Sequence, residues 1–219
     1  MANNLRTAAS RFSLARLGMT TLPEAILMPK ARSLVAHITV LDLKRNALQL
    51  LPSELFLCLT QLQEMDAREN QISYIPESIG MVPRLRKLNL TGNRVKTLPD
   101  GICRLHSLEE LRLAHNSLEC LPKAIGQLKK LRVLDLANNF LEQIPNEAGE
   151  LAALEEVDLG GNPVHSSAEA GMPLFVQRLQ TKGELLRSKA MRKELVARAL
   201  HVRGAVRAAF IEESMREAN

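Results

Sequence analysis

The sequence predicts an α/β solenoid, in which short parallel strands stack into one sheet and short helical turns cover the opposite side. Three consecutive stretches within residues 85–145 share one frame of leucine, asparagine and proline: LRKLNLTGNRVKTLP, LEELRLAHNSLECLP and LRVLDLANNFLEQIP. Their asparagines, Asn93, Asn116 and Asn139, recur every 23 residues. Hydrophobic residues make up 46% of the chain, yet aromatic residues only 3%, and tryptophan is absent. A fixed period filled by leucine is typical of a repeat architecture rather than of a single globular core.

The same frame extends in both directions. Upstream, Asn70 precedes Asn93 by 23 residues, and Asn46 precedes Asn70 by 24. Downstream, Asn162 follows Asn139 by 23 residues. Six units therefore begin at Ile38, Leu62, Leu85, Leu108, Leu131 and Leu154.

Each unit is expected to contribute one short strand and one inward-facing asparagine. In the unit that begins at Leu131, Leu134 and Leu136 alternate with Asp135, so the leucines share the buried side and the aspartate faces solvent. Such a short strand is not stable alone, but stacked parallel copies bury a common side. The asparagine amide can then bond to the backbone of its own and neighbouring coils. The predicted structural ladder is Asn46, Asn70, Asn93, Asn116, Asn139 and Asn162.

The pattern LxxLxLxxNxLxxLP resembles the leucine-rich repeats, in particular the 23-residue kind found in intracellular Ras-group scaffold proteins and the Ras suppressor protein. The resemblance covers about residues 12 to 182. It implies a right-handed solenoid with a concave parallel β-sheet, short convex helical turns and a cap at each end. We therefore expect an N-terminal cap with a degenerate repeat over 1–37, six repeats over 38–162 and a C-terminal cap helix over 163–183.

The N-terminal segment allows two interpretations. In the repeat frame, Phe12 and Leu14 take strand positions of a degenerate repeat that has Leu17 in place of the asparagine. Alternatively, residues 1–20, which contain arginine, serine and threonine but no acidic residue, would form an organelle-targeting peptide. The first interpretation predicts a cytoplasmic protein and the second an organellar one.

Candidate binding residues are the side chains that the frame leaves facing solvent on the sheet. Basic residues cross the middle of these columns and acidic residues lie at both ends, so we expect a surface complementary in charge to another protein. The predicted partner-binding residues are Asp66, Arg68, Arg86, Lys87, Asn89, Arg112, Arg132, Asp135 and Asp158. The competing interpretation is a solvated face whose charges keep the solenoid soluble.

A second candidate surface is apolar. The fourth residue after each asparagine should be exposed, and in the first two repeats it is Leu50 and Tyr74, the only tyrosine of the chain. The frame makes these two residues neighbours. They would either pack under the N-terminal cap or form a small hot spot for a partner.

Catalytic and metal-binding patterns are not found in the sequence. Phosphate-loop, nucleophile-elbow, zinc-protease and paired CxxC motifs do not occur, so we predict no enzyme, cofactor, metal or small-molecule substrate. Cys103, His106, His115 and Cys120 are close in sequence, but the frame separates the first pair from the second, so they cannot share one metal. The odd number of cysteines and the lack of a membrane-spanning apolar run favour an intracellular protein without a transmembrane segment.

Residues 184–219 do not follow the repeat and are predicted to form a basic amphipathic helix. The segment 182–207 carries eight lysines and arginines against two glutamates. Its predicted contact residues are Arg192, Lys193, Arg198, Arg203 and Arg207. This helix would pack on the solenoid, dock on a partner protein, or bind an acidic partner such as RNA, an anionic membrane or calmodulin.

These features favour a non-enzymatic scaffold or adaptor that binds one protein on the concave sheet and makes a second contact through the basic helix. The alternative is a structural subunit of a large assembly, whether ribonucleoprotein, ciliary or organellar, anchored by that helix. A third hypothesis, an enzyme or its regulatory subunit, rests only on the resemblance to Ras-group proteins, which steer GTPases and phosphatases.

Overall fold

The computed structural model describes residues 10–27 and 35–163. Seven three-residue strands form one parallel sheet in chain order: β1 (Arg11–Ser13), β2 (Val40–Asp42), β3 (Glu64–Asp66), β4 (Lys87–Asn89), β5 (Glu110–Arg112), β6 (Val133–Asp135) and β7 (Glu156–Asp158). From β3 onward each strand residue lies opposite the residue 23 positions later, so that Leu88 faces Leu111 and Leu111 faces Leu134. The predicted solenoid is therefore confirmed.

Within the described residues, a short helix follows each of the first six strands and lies on the opposite side of the coil. Two are α-helical, Glu24–Leu27 and Ser53–Cys58. Four are 3₁₀-helices: Glu77–Met81, Asp100–Arg104, Lys123–Gln127 and Asn146–Glu150. Each 3₁₀-helix follows a proline in extended conformation, and so does Ser53–Cys58. Proline suits this place because its fixed φ and missing N–H cost nothing where a helix begins.

The core is a continuous column of aliphatic side chains between the sheet and the helices. Leu85, Leu90 and Leu108 are fully buried, as are most of their equivalents in the other coils. The second repeat has only Ala67 where the other repeats have leucine, and the large side chains of Phe56 and Met65 are buried in the same cluster. The core therefore remains continuous past this alanine.

The six asparagines form a hydrogen-bonded ladder. In the middle of the array, Asn116 Oδ1 accepts from the Val95 amide at 3.0 Å. Its Nδ2 donates to the Leu90 carbonyl at 2.9 Å and to the Leu113 carbonyl at 3.1 Å. Asn70, Asn93, Asn139 and Asn162 repeat this arrangement, and all are buried. The side chain of each thus ties its own coil to the preceding one.

A coil precedes the six asparagine-containing ones. β1 pairs with β2, and Phe12 lies opposite Leu41. This coil has Leu17 in place of asparagine, and the Leu17 and Met19 amides donate instead to Asn46 Oδ1 of the next coil. The predicted cap boundaries remain predictions. Beyond Pro163, the predicted cap helix and the basic tail with its five contact residues lie outside the described residues.

The residue before each asparagine adopts a left-handed backbone conformation, which the sequence did not lead us to predict. Glycine holds this position at Gly92 and Gly161, with φ of 69° and 73°. Elsewhere the column consists of Arg45, Glu69, His115 and Asn138, with φ between 55° and 58°. The turn into the ladder therefore imposes a conformation that costs energy for every residue except glycine.

Candidate protein-binding surface

The candidate surface is the solvent side of the sheet. A depression of about 200 Å³ lies over its first strands and is lined by charged residues that include Arg11, Asp42, Glu64, Lys87 and Arg112. The depression floor consists of strand residues, so its shape is set by the backbone register of the sheet. This surface can present several charged groups at fixed spacings.

Basic residues on this surface alternate with acidic ones across neighbouring strands. Lys87 Nζ lies 3.7 Å from Glu64 and 3.4 Å from Glu110. Arg112 lies 3.6 Å from the same Glu110. Because the register places the equivalent positions of β3, β4 and β5 side by side, these charges form one cross-strand network.

Arg86 and Arg132 lie just before β4 and β6, at the N-terminal ends of these strands. Arg86 donates to both carboxylate oxygens of Glu109, and Arg132 donates to both oxygens of Glu155. The structure adds the partners of the predicted basic group, whose role in binding stays a prediction. Its members are paired with acidic residues, so the two charges alternate on this surface.

A second pattern involves the last residue of each strand. Asp66, Asn89, Asp135 and Asp158 each accept, through Oδ1, the backbone amide two residues later, at 2.9 to 3.2 Å. Such bonds are characteristic of aspartate and asparagine at turns. These four residues were predicted to bind a partner. They also shape the turn into the asparagine ladder, and Arg112 is the one predicted residue of this column that does not.

Asp42 is the most buried carboxylate among the described residues. Its side chain is 4% exposed and accepts hydrogen bonds from Arg11 at 2.8 Å and Lys44 at 3.1 Å. Burial alone would raise the pKa of Asp42, but the bonds from Arg11 and Lys44 outweigh it, and the pKa lies below its usual value of 3.8. Asp42 thus joins the first coil to the second by charge as well as by strand pairing.

Replacing Asp42 by asparagine is expected to lower the free energy of unfolding by about 1 kcal/mol at pH 7, since Arg11 is largely exposed and screened by water. A carboxyl whose folded-state pKa is depressed stabilises the fold above its unfolded-state pKa, and this contribution is lost as the pH falls through the folded-state value. The difference between Asp42→Asn and wild type should therefore shrink below pH 4 or so. Urea denaturation at pH 7 and pH 3 would measure it. If Asp42→Asn lowered the free energy of unfolding equally at both pH values, the stabilising role of the Asp42 carboxylate would be contradicted. Asp135→Asn serves as control.

At the opposite edge of the sheet, where the strands end, Arg68 and Glu69 follow β3. Arg68 lies 3.6 Å from Asp66, and Arg45 donates to Glu69 at 2.8 Å. The hydrogen bond from Arg45 lowers the pKa of Glu69. This edge is therefore also of mixed charge.

The apolar candidates Leu50 and Tyr74 lie outside the sheet. Their backbones form a parallel bridge, so the two residues are neighbours. Leu50 is 54% exposed and Tyr74 is 58% exposed. More than half of each residue is thus accessible to a partner.

Cysteine and histidine residues are dispersed. Cys103 is buried in the helix Asp100–Arg104, and burial, together with Asp100 and Glu77, raises the pKa of its thiol to about 11. Cys120 is exposed, and His115 lies beside Asn138 at the edge of the sheet. Within residues 10–27 and 35–163, no group of histidine, cysteine or acidic side chains is placed to hold a metal ion.

Comparison with known proteins identifies the family. A family model described as a leucine-rich repeat region matches residues 77–186, half of the chain. The chain belongs to the leucine-rich repeat family. Solved structures similar to this leucine-rich repeat chain include the plant peptide hormone receptor RGFR1 in complex with RGF2. The TM-score is 0.60 and the sequence identity 28%, over 70% of this chain and 28% of the receptor chain.

The leucine-rich repeat chain thus corresponds to little more than a quarter of that receptor chain. No curated protein matched it in a sequence comparison. In the part of the chain that the structure describes, no helix has the length and apolar character needed to cross a bilayer.

Sequence reasoning missed the acidic partners of the basic residues. Glu109 and Glu155 lie one repeat after Arg86 and Arg132, and Glu110 lies one repeat after Lys87. The sequence contained the information needed to predict these pairs, because residues 23 apart lie side by side in the sheet.

Proposed function

We propose that this leucine-rich repeat protein is a non-enzymatic scaffold or adaptor that binds a partner protein on its concave sheet. The observation that carries the proposal is the cross-strand network around Lys87, Glu110 and Arg112, which presents alternating charges at spacings set by the strand register. Rigid, extended repeat surfaces suit protein binding. The similarity to a receptor whose structure contains RGF2 supports a binding role.

The ion pairs of this surface do not prevent binding. Arg112 and Glu110 are 41% and 31% exposed in their side chains, and such pairs contribute little to stability because water screens them. A partner with its own carboxylates and amines can replace these ion pairs by pairs across the interface at a small cost in free energy. This replacement favours partners whose positive and negative charges are arranged in the order complementary to this surface. Such charge complementarity contributes more to specificity than to affinity.

Charge reversal at Arg112 tests the proposal. Arg112→Glu should remove one or more partners from affinity purification followed by mass spectrometry, while the free energy of unfolding changes by no more than about 1 kcal/mol. Lys123→Glu, on the exposed start of the helix Lys123–Gln127, is the matched control and should leave the purified proteins unchanged. An identical set of partners for Arg112→Glu and wild type would reject the concave sheet as the binding surface.

The remaining parts of the proposal concern residues beyond the described ones. The basic segment 182–207 would make the second contact, with an acidic protein surface or RNA, and the likeness to Ras-group scaffold proteins would place the chain in cytoplasmic signalling. The alternative function, a structural subunit of a large assembly, is favoured by the same basic segment. If it holds, Arg112→Glu leaves the purified proteins unchanged and added salt releases them.

A further inference from the structure

Exposed apolar side chains are unevenly distributed over this solenoid. Six large hydrophobic residues are exposed within the described ranges: Leu17, Leu50, Leu57, Tyr74, Met81 and Phe140. None of them lies in a strand of the sheet. Leu50, Tyr74 and Phe140 lie in the segments that connect an asparagine of the ladder to the following proline, and we call this the lateral side. Anchors of the kind that dominate protein interfaces are therefore found on the lateral side and not on the concave sheet.

Leu50 and Tyr74 form the one contiguous pair of this set on the lateral side. The parallel bridge between their backbones fixes them in adjacent coils. Buried residues lie on both sides of each: Leu48 and Ile72 two residues before, and Leu51 and Ile75 directly after. Since the coil backbone is anchored on both sides, the exposed side chains form a preorganised apolar surface, which lowers the entropic cost of binding.

Two basic residues lie in the next coil, which adjoins the coil of Tyr74. The Arg94 amide donates to the Ile72 carbonyl at 2.8 Å, which places Arg94 and Lys96 alongside the segment 70–76 that contains Tyr74. Both side chains are exposed, and neither forms an ion pair with any described residue. This contrasts with the sheet, where the predicted basic residues are all paired. In the following coils the equivalents of Lys96 are Glu119 and Glu142, so the basic character ends there.

We propose that the patch formed by Leu50, Tyr74, Arg94 and Lys96 docks an extended segment of another protein that carries apolar and acidic side chains. The apolar pair contacts the partner's hydrophobic residue, and the two unpaired cations form ion pairs with its carboxylates. The charge of the patch argues against two other occupants. The basic segment 182–207 of the same chain would be repelled, and a second copy would bring Arg94 and Lys96 of both chains together.

This surface is separate from the concave sheet, and the inference does not depend on the function proposed above. An adaptor that uses both surfaces holds two different partners at once. Variants of the patch should leave the partners that depend on Arg112 unchanged, so failure of one proposal is distinguishable from failure of the other.

A random 12-residue peptide library displayed on phage, selected against the full-length protein, provides the probe. We expect the selected peptides to be enriched in both acidic and apolar residues. Their Kd should rise at least tenfold on Tyr74→Ala, and likewise on the double reversal Arg94→Glu with Lys96→Glu. Fluorescence anisotropy of synthetic copies would measure these changes, and circular dichroism would verify that each variant keeps the wild-type melting temperature.

Phe140→Ala is the matched control, because Phe140 is equally exposed on the same side but lies beyond the patch. It should not change the Kd. Three outcomes of the selection would overturn the proposal. The library yields no enrichment, the selected peptides lack acidic residues, or they bind Tyr74→Ala as tightly as wild type. The proposal would also be overturned by binding of a synthetic 184–219 peptide that requires Tyr74, or by a dimer in sedimentation that Tyr74→Ala dissociates. Leu50→Ser repeats the test should Tyr74→Ala fail to fold.

Discussion

Replacing Asn116 by alanine is expected to lower the free energy of unfolding by about 3 kcal/mol, the largest effect of any single polar substitution considered for this chain. Asn116 is buried, and its Oδ1 accepts the only hydrogen bond described for the Val95 amide. The Leu90 and Leu113 carbonyls would be less affected, because each also accepts an amide proton from another ladder residue, Asn93 or Asn139. Asn116 also donates to the Ala114 carbonyl at 3.3 Å, which accepts the Gly92 amide as well. The loss therefore consists of one orphaned N–H and three lost bonds to shared acceptors.

Asn89→Ala is the control for this prediction. Asn89 lies at the end of β4, is half-buried, and accepts one backbone amide, that of Thr91, at 3.0 Å. Its replacement should cost at most about 1 kcal/mol. Urea denaturation followed by circular dichroism would compare the two variants. Equal losses for Asn89→Ala and Asn116→Ala would show that the ladder bonds are no more important than an ordinary turn.

Gly126→Ala is expected to lower the free energy of unfolding by about 2 to 3 kcal/mol, because the added methyl group has no room. Gly126 lies in the helix Lys123–Gln127, which packs against the next helix, Asn146–Glu150. A Cβ atom at this position would overlap the Glu147 carbonyl oxygen and lie 3.2 Å from Glu150 Cβ. The obstacle is backbone, so neighbouring coils would have to separate.

The control separates lack of space from backbone conformation. At Gly92 the nearest atoms to an added Cβ are 3.7 Å away, but φ is +69°. Gly92→Ala should therefore cost about 1 kcal/mol through conformation alone. Thermal unfolding of both variants would test the ranking. If Gly92→Ala proved the more damaging, backbone conformation and not coil spacing would be the stricter constraint on this solenoid.

Much of the fold followed from the sequence, because one observation determines many positions. The register of Asn93, Asn116 and Asn139 predicts the positions of the strands, of the buried leucines and of the prolines before the helices. The exposure of Leu50 and Tyr74 followed from the same frame. Periodicity is strong evidence in a repeat protein since each coil meets the same neighbours.

The candidate surface was less predictable, for two physical reasons. A frame gives the direction of a side chain but not its partner, so Arg86 and Arg132 were grouped as basic although each is neutralised by a glutamate one repeat later. Backbone bonding of the strand-end residues was also hidden, because Asp135 faces solvent and at the same time accepts the Ala137 amide. The left-handed column escaped prediction for a related reason. Arg45 and Glu69 are uncommon in that conformation, and only the glycines hinted at it.

The hydrogen bonds of the ladder give the array a direction. Each asparagine satisfies groups in its own coil and in the coil before it, as Asn46 does for Leu43 and for Leu14, Leu17 and Met19. A coil at the start therefore needs no asparagine of its own, because its successor provides the amide. Every later coil, up to the last one that the structure describes, carries its own asparagine, and Asn162 bonds both to Leu159 of its own coil and to Leu136 of the coil before. Loss of one asparagine therefore removes hydrogen bonds from the coil that carries it and from the coil before it.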